Sequence, residues 1–366
     1  MLYRAIGLMS GSSLDGLDIV FTELQEHGGS WSFEIQAADC YPYTNEWKQQ
    51  LQHAVTLNAL DYQLLHTAYG HFLGSEVNRF IDTKNLHYKV GLIASHGHTT
   101  FHLPAQKMTA QLGDGAAIAA ETRLPVISDL RALDVAFGGQ GAPIVPIGEK
   151  LLFPDYQLFL NLGGIANISL RTEDNYIAFD VCPANRVMNL IASESGKEYD
   201  EEGQMARSGN LHFGLLKQLN ELDYYSQSYP KSLANSFGTE LVYPIIQSFG
   251  LNQQDALRTY SEHIVQQIVS SISMTDSVTG PAESRKMLVT GGGAFNTYLI
   301  ERLKEELQAH NIEVVVPDAL IVQYKEALIM ALIGVLRWRQ EYNVLSSVTG
   351  AEHDSIGGAV WIGQEA

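Results

Sequence analysis

Apolar positions recur at strand spacing twice along the chain, and each time two short runs are joined by glycine. Ala5-Ile6-Gly7-Leu8-Met9-Ser10-Gly11 passes through Ser12-Ser13-Leu14-Asp15-Gly16 into Leu17-Asp18-Ile19-Val20-Phe21, and Leu158–Leu162 turns at Gly163-Gly164 into Ile165–Leu170. Each reads as a hairpin, followed by a third strand at Ser32–Ala37 and at Tyr176–Asp180. In the first half Leu60, Leu64, Leu65, Ala68, Phe72, Leu73, Val77, Phe80 and Ile81 fall at helical spacing and predict a long helix burying one face. Val90–Ala94, Gly113–Thr122 and Val126–Ser128 then predict strand, helix and strand. In the second half the pattern predicts helices from about Pro183 to Ser195, around 212–223, 238–249 and 255–272, a strand at Met287–Thr290, a helix over Asn296–Gln308, a strand at Glu313–Val316 and a helix over 323–339.

Strand, strand, strand, helix, strand, helix, strand thus occurs twice, which implies sheets with helices packed on them. Phe137-Gly138-Gly139-Gln140-Gly141-Ala142-Pro143 reads as a linker. The expected domains are therefore 1–137, with 340–366 as a candidate addition, and 138–339. Repeated β-β-β-α-β-α-β units describe an α/β, two-domain actin-like ATPase built from ribonuclease H-like repeats, with a nucleotide cleft between the domains. Turn N–H groups at the two hairpin tips suit anionic oxygens. A doubly wound dinucleotide fold would need Gly-x-Gly-x-x-Gly after the first strand, and Gly291-Gly292-Gly293 lacks that spacing.

Composition narrows the function. The 366 residues are 45% hydrophobic and 17% charged, a globular balance with room for two domains. A formal charge of −18 argues against nucleic acid and anionic membranes as partners, but not against a nucleotide held by backbone amides and Mg²⁺. Two cysteines, Cys40 and Cys182, form no disulfide framework. Met1-Leu2-Tyr3-Arg4 runs straight into a strand, and the apolar run Ala327–Leu336 is short for a bilayer. These features predict a soluble, cytoplasmic protein.

The motifs resemble those of the anhydro-N-acetylmuramic acid kinase family. They are Ile6–Asp18, Ser95-His96-Gly97-His98-Thr99, Gln111–Ala116, Asp129-Leu130-Arg131, Gly138–Pro143, Asn161–Ile168, Val289–Ala294, Lys325-Glu326-Ala327 and Val348–Ala351, in family order over nearly the whole chain. Where the family commonly reads Phe-Asp-Thr-Gly-Pro-Gly-Asn, this chain has Phe179-Asp180-Val181-Cys182-Pro183-Ala184-Asn185. The resemblance implies ATP-dependent phosphorylation of a small amino sugar with opening of its 1,6-anhydro bridge, in a homodimer. A kinase of the same fold acting on another sugar and a non-catalytic nucleotide-gated sensor share most of these motifs.

The same resemblance implies site residues. Asp180 is the candidate base; as a bare pattern it also reads as an aspartate capping the Pro183 helix. Glu326 is the second candidate, with an exposed first-turn glutamate as its alternative. Gly11, Ser12, Ser13, Leu14, Asp15, Gly16, Leu17 and Asp18 form the ATP stretch, with Asp15 and Asp18 as Mg²⁺ ligands; Asp15-Gly16 is equally a common hairpin dipeptide. Asn161, Gly163, Gly164, Gly291, Gly292 and Gly293 complete the nucleotide set, tight packing being the other reason for the last three. His96, Thr99 and Arg131 are expected on the sugar. A surface pair of Arg131 with Asp129 or Asp134 is its alternative. His96, His98 and His102 lack a carboxylate or thiol at a recognised zinc spacing.

Overall fold

The computed structural model describes residues 1–11, 14–172, 175–229, 231–234, 236–274 and 285–363; Ser12 and Ser13 lie outside them. The first strands are β1 (Leu2–Ser10), β2 (Gly16–His27), β3 (Ser30–Pro42), β4 (Leu92–Ser95), β5 (His98–Leu103), β6 (Met108–Leu112) and β7 (Val126–Ser128). They are followed by β8 (Leu158–Leu162), β9 (Ile165–Arg171), β10 (Tyr176–Pro183), β11 (Arg285–Thr290), β12 (Ile312–Val315) and β13 (Ala359–Trp361).

The chain divides into two units, Met1–Pro154 with Tyr324–Ala366, and Asp155–Gln323. The first contains the sheet β13-β7-β4-β1-β2-β3, and the second the sheet β10-β9-β8-β11-β12. In both, three consecutive strands pair antiparallel, and two later strands join parallel beside the first. Third-second-first-fourth-fifth is thus the order shared by the two units, and the first adds β13, antiparallel beside β7, which the sequence pattern did not predict. This is the ribonuclease H-like repeat, present twice, and the chain has the α/β actin-like fold.

Two helices fix the first unit. Ala59–Lys84 starts at the side-chain cap of Asn58 and ends at left-handed Asn85. Its buried face comprises Leu65, Tyr69, Leu73, Val77, Phe80 and Ile81. Leu60, Leu64 and Ala68, predicted on that face, are instead exposed. Close packing begins further along, where Gly70 meets Asp114 and Ala117, and Gly74 meets Glu121. The other helix, Ala319–Trp338, is long and apolar enough to cross a membrane, unlike the shorter run read from the sequence, yet most of its apolar length is buried inside the protein. It lies so close to β1 that a Cβ on Gly7 would strike the Ala327 carbonyl and stand 2.8 Å from Ala331 N. Gly7 is what lets this helix reach the sheet.

The glycine-rich stretch 137–143 lies inside the first unit, and the division falls at 154/155 and 323/324 rather than at 137/138 and 339/340. Its backbone is pinned: Gly139 N donates to Asp134 O at 2.9 Å, Gln140 N to Thr349 O at 2.8 Å and Gly141 N to Asp134 Oδ2 at 2.7 Å. Thr349 Oγ1 donates to the other Asp134 oxygen at 2.7 Å, which ties the stretch after residue 340 to the same unit as Asp134. Gly139 and Gly141 serve close packing here, whereas a Cβ on Gly138 would meet nothing within 4 Å. The β5–β6 hairpin, His98–Leu103 with Met108–Leu112, also interrupts the expected order.

Candidate active-site residues in each unit

In the second unit the sheet register lines up a row of polar side chains. Asp180 pairs with Asn167, Asn167 with Asn161, and Asn161 with Thr290 across four strands. Asp180 stands where β10 bulges, between Asp180 and Cys182. Its Oδ2 accepts the Leu233 N–H at 2.8 Å and its Oδ1 a long 3.5 Å contact from Asn167 Nδ2. The backbone is held as well, since Tyr224 Oη donates to Asp180 O at 2.6 Å and Asp180 N to Lys231 O at 3.2 Å. Burial raises the carboxyl pKa, opposed by the Leu233 and Asn167 donors.

Asp180 is not a helix cap. The helix Asn185–Ser193 begins after Ala184 with no side-chain cap. Its first amides go to the hairpin turn instead: Ala184 N to Gly164 O at 2.9 Å and Asn185 N to Gly163 O at 3.1 Å. The Gly163-Gly164 turn therefore offers carbonyls to the helix start. The residues that depart from the family pattern, Val181 and Cys182, are 1% and 0% exposed and face the core.

Gly291 has φ +82°, and a Cβ there would strike Asn161 Oδ1 and stand 2.8 Å from Leu162 O. A Cβ on Gly293 would lie 2.7 Å from Leu162 Cβ. Tight approach to β8 thus accounts for these two glycines, whereas Gly292 meets only Asn185 Nδ2, at 3.6 Å. Asn185 Nδ2 also donates to Leu162 O at 2.9 Å, tying the helix start to the same strand end. Asn161 and Gly291–Gly293 are brought together at the C-terminal ends of two parallel strands.

In the first unit Asp18 pairs with Met9 on one side and Cys40 on the other. Burial pushes its pKa up to about 6; the Cys40 thiol opposes this, and the negative charges of Glu326 and Asp15 add to it. Glu326 is mid-helix and part-buried rather than an exposed first-turn residue. Its pKa is raised by burial, lowered by Lys325 and raised by Glu149. Lys325 Nζ donates to Glu149 Oε1 at 2.8 Å, both side chains being 3% exposed. Asp15 is exposed, Gly16 sits against Tyr41 and Cys40, and Leu14 and Leu17 fill the core.

A second polar group surrounds Arg131, which is buried rather than paired at the surface. Its Nε donates to Gly141 O at 2.6 Å, Nη1 to Thr99 Oγ1 at 2.9 Å, and Nη2 approaches His102 Nε2 at 3.5 Å. Asp129 and Asp134 take other donors: Ser128 Oγ at 2.6 Å, and Gly141 N with Thr349 Oγ1. Burial lowers the Arg131 pKa to about 10, against the pull of Asp134. His96 is pushed down to about 4 by burial and then by Arg131, so it is neutral near pH 7. Its Nδ1 lies 3.0 Å from Gly97 O. Among the described residues no group of three or more His, Cys, Asp or Glu side chains is arranged to hold a metal ion.

Asn167, Tyr224 and the Leu233 amide were not singled out in the sequence, and His102 was weighed there only as a metal ligand. Asn167 was within reach of the hairpin register. Leu233 lies 53 residues from Asp180, and no local pattern signals it.

The family model described as "Anhydro-N-acetylmuramic acid kinase" matches residues 3–363. Curated proteins of that description include one from Hydrogenovibrio crunogenus, 30% identical over 370 residues and 97% of each chain. Another, from Aliivibrio fischeri, is 35% identical over 83% of this chain and 84% of its own. Among solved structures, the activator of the 2-hydroxyisocaproyl-CoA dehydratase from Clostridium difficile with bound ADPNP aligns at TM-score 0.46 and 14% identity, over 92% of this chain and 96% of that one.

Proposed function

The chain belongs to the anhydro-N-acetylmuramic acid kinase family, and on that footing we propose that it phosphorylates 1,6-anhydro-N-acetylmuramic acid with ATP while water opens the anhydro bridge. The products are N-acetylmuramic acid 6-phosphate and ADP. The observation that carries this reading is the setting of Asp180, a carboxylate at a strand bulge with one oxygen fixed by the Leu233 N–H. Burial raises its pKa, and raising a carboxyl toward the working pH strengthens it as a base.

Asp180 takes a proton from water as the water oxygen attacks C1 of the sugar. The C1–O6 bond breaks, and O6 attacks the γ-phosphorus instead of collecting a proton. The bond from that phosphorus to the β–γ bridging oxygen breaks as ADP leaves. One base therefore suffices where an inverting glycosidase uses two carboxyl groups. Arg131, its fork oriented by Thr99 and His102, is assigned the lactyl carboxylate, and neutral His96 a hydroxyl of the sugar.

Asn161, Gly163, Gly164 and Gly291–Gly293 in one unit, and Gly11–Asp18 in the other, are assigned to the nucleotide. Asp18, with Asp15 and Glu326 in its electrostatic surroundings, would hold Mg²⁺, whose charge offsets the developing negative charge of the phosphoryl group. Few protein ligands suit this ion, which keeps several waters and takes one or two carboxylates plus substrate phosphates. The same reading makes the protein a cytoplasmic homodimer serving recycling of cell-wall amino sugar.

The test is incubation of the purified protein with ATP, Mg²⁺ and the anhydro sugar, read by mass spectrometry. ADP and a 6-phosphorylated reducing sugar appear together if the reading is right. Absence of both overturns it.

A further inference from the structure

Four side chains from distant parts of the first unit form one buried chain of hydrogen bonds. Tyr69 and Tyr43 hydroxyls lie 2.6 Å apart, Tyr43 Oη donates to Ser10 Oγ at 2.8 Å, and Ser10 Oγ lies 3.3 Å from His98 Nδ1. Their exposures are 0%, 4%, 4% and 7%. Since Tyr43 uses its hydrogen on Ser10, Tyr69 must donate to Tyr43. The chain is completed when Ser10 donates to His98 Nδ1, with the imidazole hydrogen on Nε2.

The two ends of this chain differ in what they anchor. Tyr69 is fixed in the long helix Ala59–Lys84, its ring stacked with Phe72 and tilted against Trp47. Ser10 closes β1, directly before Gly11 and the nucleotide stretch. His98 opens β5, directly before Thr99, which orients Arg131. The backbone joins these segments only as far as β4, which pairs with β1 up to Ser95 against Leu8, and His96, whose N–H donates to Leu8 O at 3.2 Å; among the described residues β5 itself pairs with β6 and not with β1. The Ser10–His98 contact is a polar connection from the end of β1 to the start of β5.

We infer that the Tyr69–Tyr43–Ser10–His98 chain is a positioning device that couples the nucleotide segment after β1 to the sugar-side residues at the start of β5. Four buried polar groups would otherwise carry a desolvation cost, and apolar side chains would fill the same space more simply. What the hydrogen bonds add is directionality: a shift of Ser10 as nucleotide engages Gly11 and Leu14–Asp18 is passed to His98 and so to Thr99 and Arg131. This rests on the assignment of those two segments given above.

Amide hydrogen exchange on the full chain, with and without Mg²⁺ and a non-hydrolysable ATP analogue, tests the coupling without needing sugar. In the parent the analogue slows exchange about fivefold or more at Leu14–Asp18 and also at Thr99–Leu103, in the range of typical coupling energies. In Tyr43→Phe, and separately in Ser10→Ala, protection stays at Leu14–Asp18 and falls to less than about twofold at Thr99–Leu103. Two variants guard against one failing to fold, and a tyrosine-to-phenylalanine change keeps the ring packing. Protection confined to the nucleotide segment in the parent, or undiminished spread in both variants, overturns the proposal. Failure of the function itself is read separately, as absence of phosphorylated sugar.

Discussion

The first hairpin of one unit pairs Met9 with Asp18 and Asp18 with Cys40, whereas the first hairpin of the other pairs Asn161 with Asn167 and Asn167 with Asp180. In each, the pair on the first two strands comes one step before the last rung of the ladder. The backbone position is the same and the chemistry is not. In the first unit the carboxylate is on the middle strand, beside a thiol and within the field of Glu326 and Asp15. In the second it is on the edge strand and receives an aimed N–H from Leu233. A crowd of negative charge is suited to a cation; a lone, donor-held carboxylate is suited to a water molecule. The repeat supplies strand ends, and a few side chains decide what each end does.

The most severe way to break this comparison is to neutralise the donor-held carboxylate. Asp180→Asn should lower kcat about a thousandfold, within the usual contribution of a positioned base, while titration with the ATP analogue shows nucleotide affinity within about twofold of the parent. Asp18→Asn should show the opposite split, with weakened Mg²⁺-nucleotide binding as its main defect. If the two variants behave alike, the division of labour between the units is wrong.

Removal of a buried charge is the next largest effect. Lys325→Met takes the ammonium away from Glu149, a side chain only 3% exposed, and breaking such a pair typically costs about 3 kcal/mol or more. The first unit should therefore unfold at lower temperature in calorimetry. Joint replacement, Glu149→Leu with Lys325→Met, should recover most of that loss. A loss that persists in the double variant would show that the charge pair is not what holds this part of the fold.

Glycines test the comparison at the backbone. Gly7→Ala puts a methyl into the Ala327 carbonyl and should cost about 2 kcal/mol by overpacking, seen as a lowered unfolding midpoint. Gly163→Ala, at the second unit's hairpin tip, meets nothing closer than 3.5 Å and should stay within about 0.5 kcal/mol of the parent. The glycine inside a strand matters more than the glycine at a turn, the reverse of what a turn-centred reading suggests.

That reversal shows what was legible in the sequence. Period-two runs and their order were enough for five strands of each sheet, because alternation and apolar bursts are local properties, but not for β13 at the edge of the first. Motif resemblance picked out Asp180, Glu326 and Arg131. The surroundings of these residues were not legible. Leu233 reaches Asp180 only through a loop that wraps back to the edge strand, and Glu149 meets Lys325 across 176 residues. Gly138, Gly139 and Gly141 looked like a linker because composition cannot distinguish a flexible glycine from one required by packing; Gly139 and Gly141 amides are fixed on Asp134. Exposure of Leu60 and Leu64 was hidden for a related reason, since helical period fixes a face but not where its partner begins.

The smallest predicted effect is a pH dependence that distinguishes the two carboxylates. Asp18 has its pKa raised to about 6 by burial and by neighbouring negative charge, so the folded protein holds that proton more tightly than the unfolded chain. Its contribution to stability is fully present below about pH 4, the ordinary aspartate range, and is lost as pH rises through about 6. An asparagine never ionises, so Asp18→Asn should be more stable than the parent at pH 8 in the absence of nucleotide. The gain should be on the order of 1 kcal/mol after allowance for partial solvent screening. That advantage should shrink as pH falls through 6 and vanish near 4, as read from unfolding temperatures at a series of pH values. Asp180→Asn should show a weaker form of the same trend, because the Leu233 N–H that stabilises the ionised carboxylate opposes the effect of burial. Equal pH dependence in the two variants would mean that neighbouring charge adds nothing at Asp18, and the two strand ends would then differ in sequence but not in electrostatics.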